Sequence, residues 1–393
     1  MSDTAPVRER PLRVGIVGLG NVGLGFHIPA LLAMPDLVTV VAVSDPSAER
    51  RSEAATRLGL AAESTHASAD DLLARDDIDV VDLATPPHVR TPLALRAVEA
   101  GLAVLCEKPL STVPAEAAAI VAAGEAAGVP VGVIHNYLAF PEIRVALDAI
   151  REGAIGRVEV AILNYLGVED RPGNAAWRPN WRHDPGLAGG GVLMDMLHVV
   201  YVAEALLGQP IRRVSAQVIA RRDDAAVEDI ALCRFDADRA VALVNVGWGV
   251  GPGGIAVSGR DGRIEIGYAG GGTSPFAPLS SVRIVRADGT VQDRTSARNA
   301  TPGIDVHLVE TFRTFFEAVA DGRQLAVGAA DGLRTLETTL AAYQSAATGR
   351  SVALPLDRDG PVFRRGIAGL AELPLDADGP VARQHVFGAE AAS

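Results

Sequence analysis

At 393 residues the chain is long for one hydrophobic core, so two domains are expected. Its 48% hydrophobic and 21% charged composition is that of a globular protein and excludes extended disorder. A formal charge of −12 and a pI near 5.2 argue against nucleic acid or an anionic membrane as partner.

Two cysteines, Cys106 and Cys233, form neither a disulfide framework nor a metal-ligand spacing, so no metal is expected. The first residues, MSDTAPVRERPLR, are polar and no signal core follows them. No apolar run is long enough to span a bilayer, and the expectation is a cytoplasmic protein.

In chain order, Val14 to Val17 is a β-branched strand followed at once by GLGNVG, Gly18 to Gly23, and then by an apolar helix with Ile28, Leu31 and Leu32 at helical spacing. That is the context of a dinucleotide fingerprint. Gly18 permits the tight turn, Gly20 lets a pyrophosphate approach the backbone, and Gly23 lets the helix pack on the strand. Asn21 and Val22, where the helix offers its free N–H groups, complete the phosphate-binding set. Strand Val38 to Val43 ends in Ser44-Asp45-Pro46, which puts an acid where ribose hydroxyls are read. A carboxylate there repels a 2′-phosphate, so NAD is favoured over NADP, although Arg50 and Arg51 lie close by. Asp45 as a helix cap before Ala48 to Leu58 is the competing reading.

Strand Asp79 to Ala84 leads into TPPHVRTP, which places Thr85, Pro86 and His88 on the same carboxyl edge as Gly18. Helix Pro92 to Ala100 precedes strand Leu102 to Cys106, which ends in Glu107, Lys108 and Pro109. Lys108 is the one lysine of the chain; every other strong cation is arginine. Arginine stays charged and planar, whereas an ammonium is a compact donor that can sit against a reacting oxygen. Helix Pro114 to Ala127 and strand Val129 to Ile134 follow, the latter ending in His135-Asn136-Tyr137. Alternation of strand and helix to this point means a doubly wound parallel sheet, with Glu107, Lys108 and Asn136 at its ligand-binding edge.

After Phe140 the pattern changes. Strands are expected at Val158 to Val168, Val214 to Ala220, Glu228 to Phe235, Ala240 to Gly247 and Arg263 to Tyr268. With hairpin signals between them they form one large, open, mostly antiparallel sheet. The glycine clusters Gly251 to Gly254 and Gly270 to Gly272 read as flexible loops. Val306 to Asp321 and Asp331 to Thr348 are helices, and the tail from Pro355 lacks periodicity. The expected fold class is α/β: a dinucleotide-binding domain over 1–136, an α+β domain for substrate and oligomerisation over 137–355, and an extension over 356–393. The open sheet is expected to pair subunits into a homodimer or homotetramer.

Within the second domain, Gly189 to Gly191 precede a helix expected to run through Leu207. Asp195 and His198 are i,i+3 on that helix and share a face. A helix N-terminus helps keep His198 neutral and able to accept a proton. The preceding loop holds Trp177, Arg178, Trp181, Arg182 and His183; Trp faces stack on sugar C–H surfaces and Arg donors suit hydroxyl or carboxylate groups.

The motifs GLGNVG at Gly18, ATPPH at Ala84, AGLAVLCEKP at Ala100 and AGGGVLMDMLH at Ala188 together resemble the Gfo/Idh/MocA family of oxidoreductases over nearly the full chain. The resemblance implies a Rossmann domain, an open-faced sheet domain, NAD(P), and hydride exchange with a sugar, inositol or related polyhydroxy compound. It makes Lys108 the lysine that meets the reacting oxygen, and Asp195 and His198 the family's Asp and His pair, the His taking the proton. The family usually spaces that pair i,i+4, often has Arg where Leu138 stands, and often has His at Arg90. An NAD-assisted glycoside hydrolase or lyase, and a non-catalytic NAD(P)-binding regulator, are the alternatives.

Overall fold

The computed structural model describes residues 11–168, 181–221, 225–249, 251–268, 279–295 and 306–376. The chain divides into two compact units, one of residues 1–111, 116–139 and 299–333 and the other of 112–115, 140–298 and 334–393.

The first unit is built on β1 (Leu12–Val17), β2 (Val38–Ser44), β3 (Thr65–His66), β4 (Val80–Leu83), β5 (Ala103–Cys106) and β6 (Val131–Val133). All pairings are parallel, in the order β3-β2-β1-β4-β5-β6. The strands β4, β5 and β6 are buried along their whole length, as expected where helices cover both faces. Strand order reverses between β1 and β4, which is where such sheets take ligands.

Helix Val306–Ala320, which sequence assigns to the second domain, packs with this unit and puts Leu308, Phe312, Phe315 and Phe316 into one core with Leu12, Ile16, Leu31 and Met34. Each such side chain contributes roughly 1.5–3 kcal/mol by its burial. Leu32, expected on the apolar face, is 52% exposed; only Ile28 and Leu31 of that trio turn inward. The helix expected from Pro92 starts at Pro87, whose missing N–H costs nothing in a first turn, and Pro92 lies inside it.

The second unit carries β7 (Val158–Val168), β8 (Arg213–Ile219), β9 (Ile230–Asp236), β10 (Val241–Trp248), β11 (Gly253–Gly259), β12 (Gly262–Tyr268), β13 (Leu279–Arg286), β14 (Val291–Asp293) and β15 (Val352–Ala353). They form one nine-stranded sheet, β14-β13-β12-β11-β7-β10-β9-β8-β15, antiparallel except between β7 and β10. One face buries Ala161, Leu163, Ala242, Val244, Ala231 and Phe235, with helix His198–Leu207 packed on β7 and β10. On the other face Leu232 and Leu243 are more than a third exposed.

The reading of Gly251 to Gly254 as a loop is overturned, because Gly253 and Gly254 begin β11. Their lack of a side chain is what permits the strand: a Cβ on Gly253 would lie 2.6 Å from the Tyr268 ring, and Gly254 has φ +128°. The Gly270 to Gly272 cluster lies outside the described residues. In the tail, helix Pro361–Arg365 and the turn Gly366–Glu372 bury Val362, Phe363, Ile367 and Leu370. Among the described residues no single helix is long and apolar enough to cross a membrane.

Candidate functional site

At the carboxyl edge of the first unit the glycine turn meets the end of β4. A Cβ on Gly18 (φ +97°) would stand 2.8 Å from the Ala84 carbonyl oxygen, and one on Gly23 would stand 2.2 Å from the Gly18 carbonyl oxygen. Nothing lies within 4 Å of where a Gly20 Cβ would be. The helix starts at Asn21 and Val22 and continues as a π turn over Gly23–His27, closed by the Ile28 N–H donating to the Gly23 carbonyl. Asp45 is buried: its Oδ2 accepts the Leu19 N–H (2.8 Å) and its Oδ1 the Ser47 N–H (2.8 Å). The helix cap is Ser47, which accepts from Arg50 N–H, so the capping reading of Asp45 does not describe it. Instead Asp45 ties the end of β2 to the glycine turn, and each oxygen keeps a further lone pair.

Thr85 Oγ1 and Asn136 Oδ1 are buried without a hydrogen-bond partner among the described residues. Buried polar atoms of this kind require a partner, and these two flank the edge where a dinucleotide fits. Pro86 is half-buried, and His88 is exposed on the first turn of helix Pro87–Glu99. The residues present therefore fit the group that the fingerprint implies.

Lys108 follows β5 in a turn whose Lys108–Pro109 bond is cis. The turn is held from below by buried charge. Glu107 Oε2 accepts the Lys108 N–H at 2.8 Å, and its Oε1 lies 3.2 Å from His27 Nε2. The other nitrogen of His27, Nδ1, is 2.8 Å from Asp82 Oδ2 at the end of β4. His27 and Asp82 are fully buried. Burial alone would push the imidazole pKa down, but Asp82 and Glu107 outweigh it and raise it to about 10. Burial would raise Glu107, yet the His27 hydrogen bond and charge, with Lys108 and Arg90, take it to about 2.

Arg90, 1% exposed, donates to the carbonyls of Thr85 and Pro109 and so fastens one cofactor-edge turn to the other. Two carboxylates and two cations thus sit together in the interior. Sequence reasoning named Glu107 and noted Arg90 as a departure, but it missed His27 and Asp82. The signal was available: a His in the helix after the glycines and an Asp within an otherwise apolar strand.

In the second unit the expected single helix is broken. It divides into Val192–Asp195 and His198–Leu207, because Met196 (φ −101°, ψ +29°) leaves the helical region, and the stretch Pro185–Asp195 is inclined by 44° to His198–Leu207. Asp195 and His198 therefore do not share a face of one helix, and that expectation is corrected. Asp195 ends the first segment and its Oδ1 accepts from Arg182 Nε at 3.3 Å. His198 opens the second, is 6% exposed, and its Nδ1 lies 2.6 Å from the Tyr201 hydroxyl. Tyr201, one turn along, was not singled out by sequence. Of the aromatic loop, Trp177 and Arg178 lie outside the described residues. Trp181, Arg182 and His183 form a short turn in which the Arg182 guanidinium stacks 4.3 Å over Trp181 and His183 lies 5.4 Å from the Trp248 ring.

Residues 12–135 match the oxidoreductase family with an NAD-binding Rossmann fold, GFO_IDH_MocA, and residues 143–266 match that family's C-terminal domain. Levoglucosan dehydrogenase of Pseudarthrobacter phenanthrenivorans is 34% identical over 50% of this chain and 52% of its own. The 1,5-anhydro-D-fructose reductase of Ensifer adhaerens is 29% identical over 86% of this chain and 97% of its own. A solved levoglucosan dehydrogenase in complex with NADH and levoglucosan superposes with a TM-score of 0.78 at 25% identity, covering 88% of this chain and all of that one. With an NAD(P)-binding Rossmann unit, a nine-stranded second sheet and relatives of this kind, the chain belongs to the GFO/IDH/MocA family of oxidoreductases.

Proposed function

We propose that the protein is an NAD-dependent oxidoreductase exchanging hydride with a secondary alcohol or ketone of a sugar, inositol or related polyhydroxy compound. The observation that carries this reading is Lys108, the sole lysine, on a turn that buried ions fasten to the edge bearing the glycine turn, Thr85 and Asn136. Gly18, Gly20, Asn21, Val22, Asp45, Thr85, Pro86, His88, Glu107 and Asn136 bind the dinucleotide; when bound, its nicotinamide supplies the hydride exchange. An unassisted alcohol is too weak an acid to lose its proton at neutral pH. His198 takes that proton, and Lys108 donates to the developing alkoxide. Because Asp195 already accepts from Arg182, its part is to hold a neighbouring hydroxyl together with Arg182, Trp181 and Trp177 rather than to take a proton. Arg51 spends its guanidinium on the Asp45 and Pro46 carbonyls, which favours NAD over NADP.

The experiment is absorbance of NADH on incubation with NAD+ and a panel of neutral sugars, inositols and sugar acids. Oxidation of a neutral member by the wild type, with the low-pH limb of the rate profile lost in His198→Asn, is the expected result. No NADH from any member would remove the reading. We also propose that the sheet face carrying Leu232 and Leu243 pairs copies of the chain into a dimer or tetramer, which sedimentation would read.

A further inference from the structure

The short helix that carries Asp195 owes its start to residues far away in sequence. A helix leaves its first N–H groups without intrahelical partners. Here each one is met: Gly191 N–H donates to Glu228 Oε2 (2.9 Å), Val192 N–H to the Glu228 carbonyl (3.1 Å), Leu193 N–H to Glu228 Oε1 (2.9 Å), and Met194 N–H to the Tyr343 hydroxyl (3.0 Å). That hydroxyl in turn donates to Glu228 Oε1 at 2.9 Å. Both side chains are fully buried.

Two of the three glycines before the helix, Gly190 and Gly191, follow from the same contacts. A Cβ on Gly190 would meet the Tyr343 hydroxyl at 2.3 Å, and one on Gly191 would meet the Glu228 carbonyl at 2.1 Å. They are a fitting surface for this pair, and one turn further on the chain bends and presents His198.

We infer that Glu228 and Tyr343 are positioning residues for the reaction, fixing the segment that sets Asp195 and His198. The inference rests on the oxidoreductase reading above. Neither residue touches a reacting atom in that scheme; each acts through the helix start it holds. The titratable neighbours of Glu228 are the Tyr343 phenol and the Cys233 thiol, while His198 has the Tyr201 hydroxyl, and Asp195 has Arg182.

The test uses the full chain as E228Q and Y343F with a substrate found in the panel. Gln cannot accept both Gly191 and Leu193 N–H groups through its two side-chain atoms, and Phe loses both bonds of the phenol. A displacement of the general base on the ångström scale is expected to lower kcat about 10- to 100-fold in E228Q and less in Y343F. The NADH dissociation constant should stay within about twofold, because its ligands are elsewhere. The low-pH limb of the kcat profile should shift in E228Q, because a displaced helix start alters the surroundings in which His198 titrates. A limb position does not depend on the folded fraction, so an unmoved limb with wild-type kcat in both variants overturns the inference.

Should neither variant fold, wild-type hydrogen exchange decides. Amides 191–194, corrected for intrinsic rates, are expected to change protection between about pH 6 and 8 while those of 199–206 do not. Unchanged protection overturns the inference as well. This readout needs no turnover, so the two failures are distinguishable: an inactive wild type with altered protection removes the oxidoreductase reading, whereas an active one with unchanged protection removes the positioning inference alone.

Discussion

Each of the two units carries one side chain of the proposed reaction beside a buried polar network, and the two networks are opposite in kind. Under Lys108 the carboxylates of Asp82 and Glu107 are matched by the cations of His27 and Arg90. Before Asp195 and His198, Glu228 has no cation hydrogen-bonded to it among the described residues: it is answered by two backbone N–H groups and a phenol, and burial raises its pKa to about 7 against the pull of those donors. Balanced ions tolerate a change of pH and fail when one member is removed. A lone carboxyl in apolar surroundings does the reverse, titrating near neutrality and losing less when replaced by its neutral likeness.

The largest expected effect follows from breaking the balanced network. His27→Leu leaves Asp82 fully buried and Glu107 part-buried with one cation fewer, and removing one partner of a buried pair typically costs about 3–5 kcal/mol. Denaturant unfolding at pH 6 reads this directly. A loss comparable to an ordinary surface substitution would mean that His27 is not the imidazolium its two carboxylates imply.

Removing the proposed donor but keeping its network should separate activity from stability. Lys108→Ala is expected to lower kcat about 10²- to 10³-fold, the usual cost of one transition-state donor. Its melting temperature should stay close to that of wild type, because Glu107 keeps His27 and the residue-108 N–H. Undiminished turnover would take the lysine out of the mechanism.

The contrast sharpens between pH 4.5 and 6.5. His27, raised to about 10 from 6.5, contributes stability that is complete below 6.5 and lost as pH rises through 10. Glu107, lowered to about 2 from 4.5, contributes stability that is complete above 4.5 and lost as pH falls through 2. Both are constant inside the window. Glu228, raised to about 7 from 4.5, contributes stability that is complete below 4.5 and lost as pH rises through 7. Wild type should therefore lose stability relative to Glu228→Gln across the window, by on the order of 3 kcal/mol at most once pH 7 is passed. Parallel pH curves for the two proteins would show that Glu228 does not titrate there.

How much of this was legible in the chain depends on how local the cause was. The glycine turn, Asp45, the Glu107-Lys108-Pro109 turn and the parallel strands are written in contiguous residues, and the structure has them where the spacing put them. The helix break at Met196 is not written locally: VLMDMLHVV carries no Gly or Pro, and the cap that starts its first segment comes from Glu228 and Tyr343. Nor could Gly253 and Gly254 announce a strand, since what makes glycine necessary is the Tyr268 ring on the neighbouring strand. His27 needed the π turn to bring it inward, and Phe312 and Phe316 join the first core from a helix more than 170 residues beyond β6 in the chain.

The smallest effect is expected outside both networks, at the rim of the ribose edge. Arg50 stands with its guanidinium 3.9 Å from Asp45 Oδ2 and its side chain 42% exposed, whereas the Asp45 oxygens are already engaged by Leu19 and Ser47 N–H groups at 2.8 Å. Solvent screens such a pair, so its removal alters little. Arg50→Ala is expected to leave NAD+ affinity within about threefold and the NAD-to-NADP preference unchanged, measured by titration of both dinucleotides. If Arg50 instead received a 2′-phosphate, the variant would lose NADP affinity selectively. A preference that moved about tenfold toward NAD would show this, and the carboxylate of Asp45 would then not be what decides between the two cofactors.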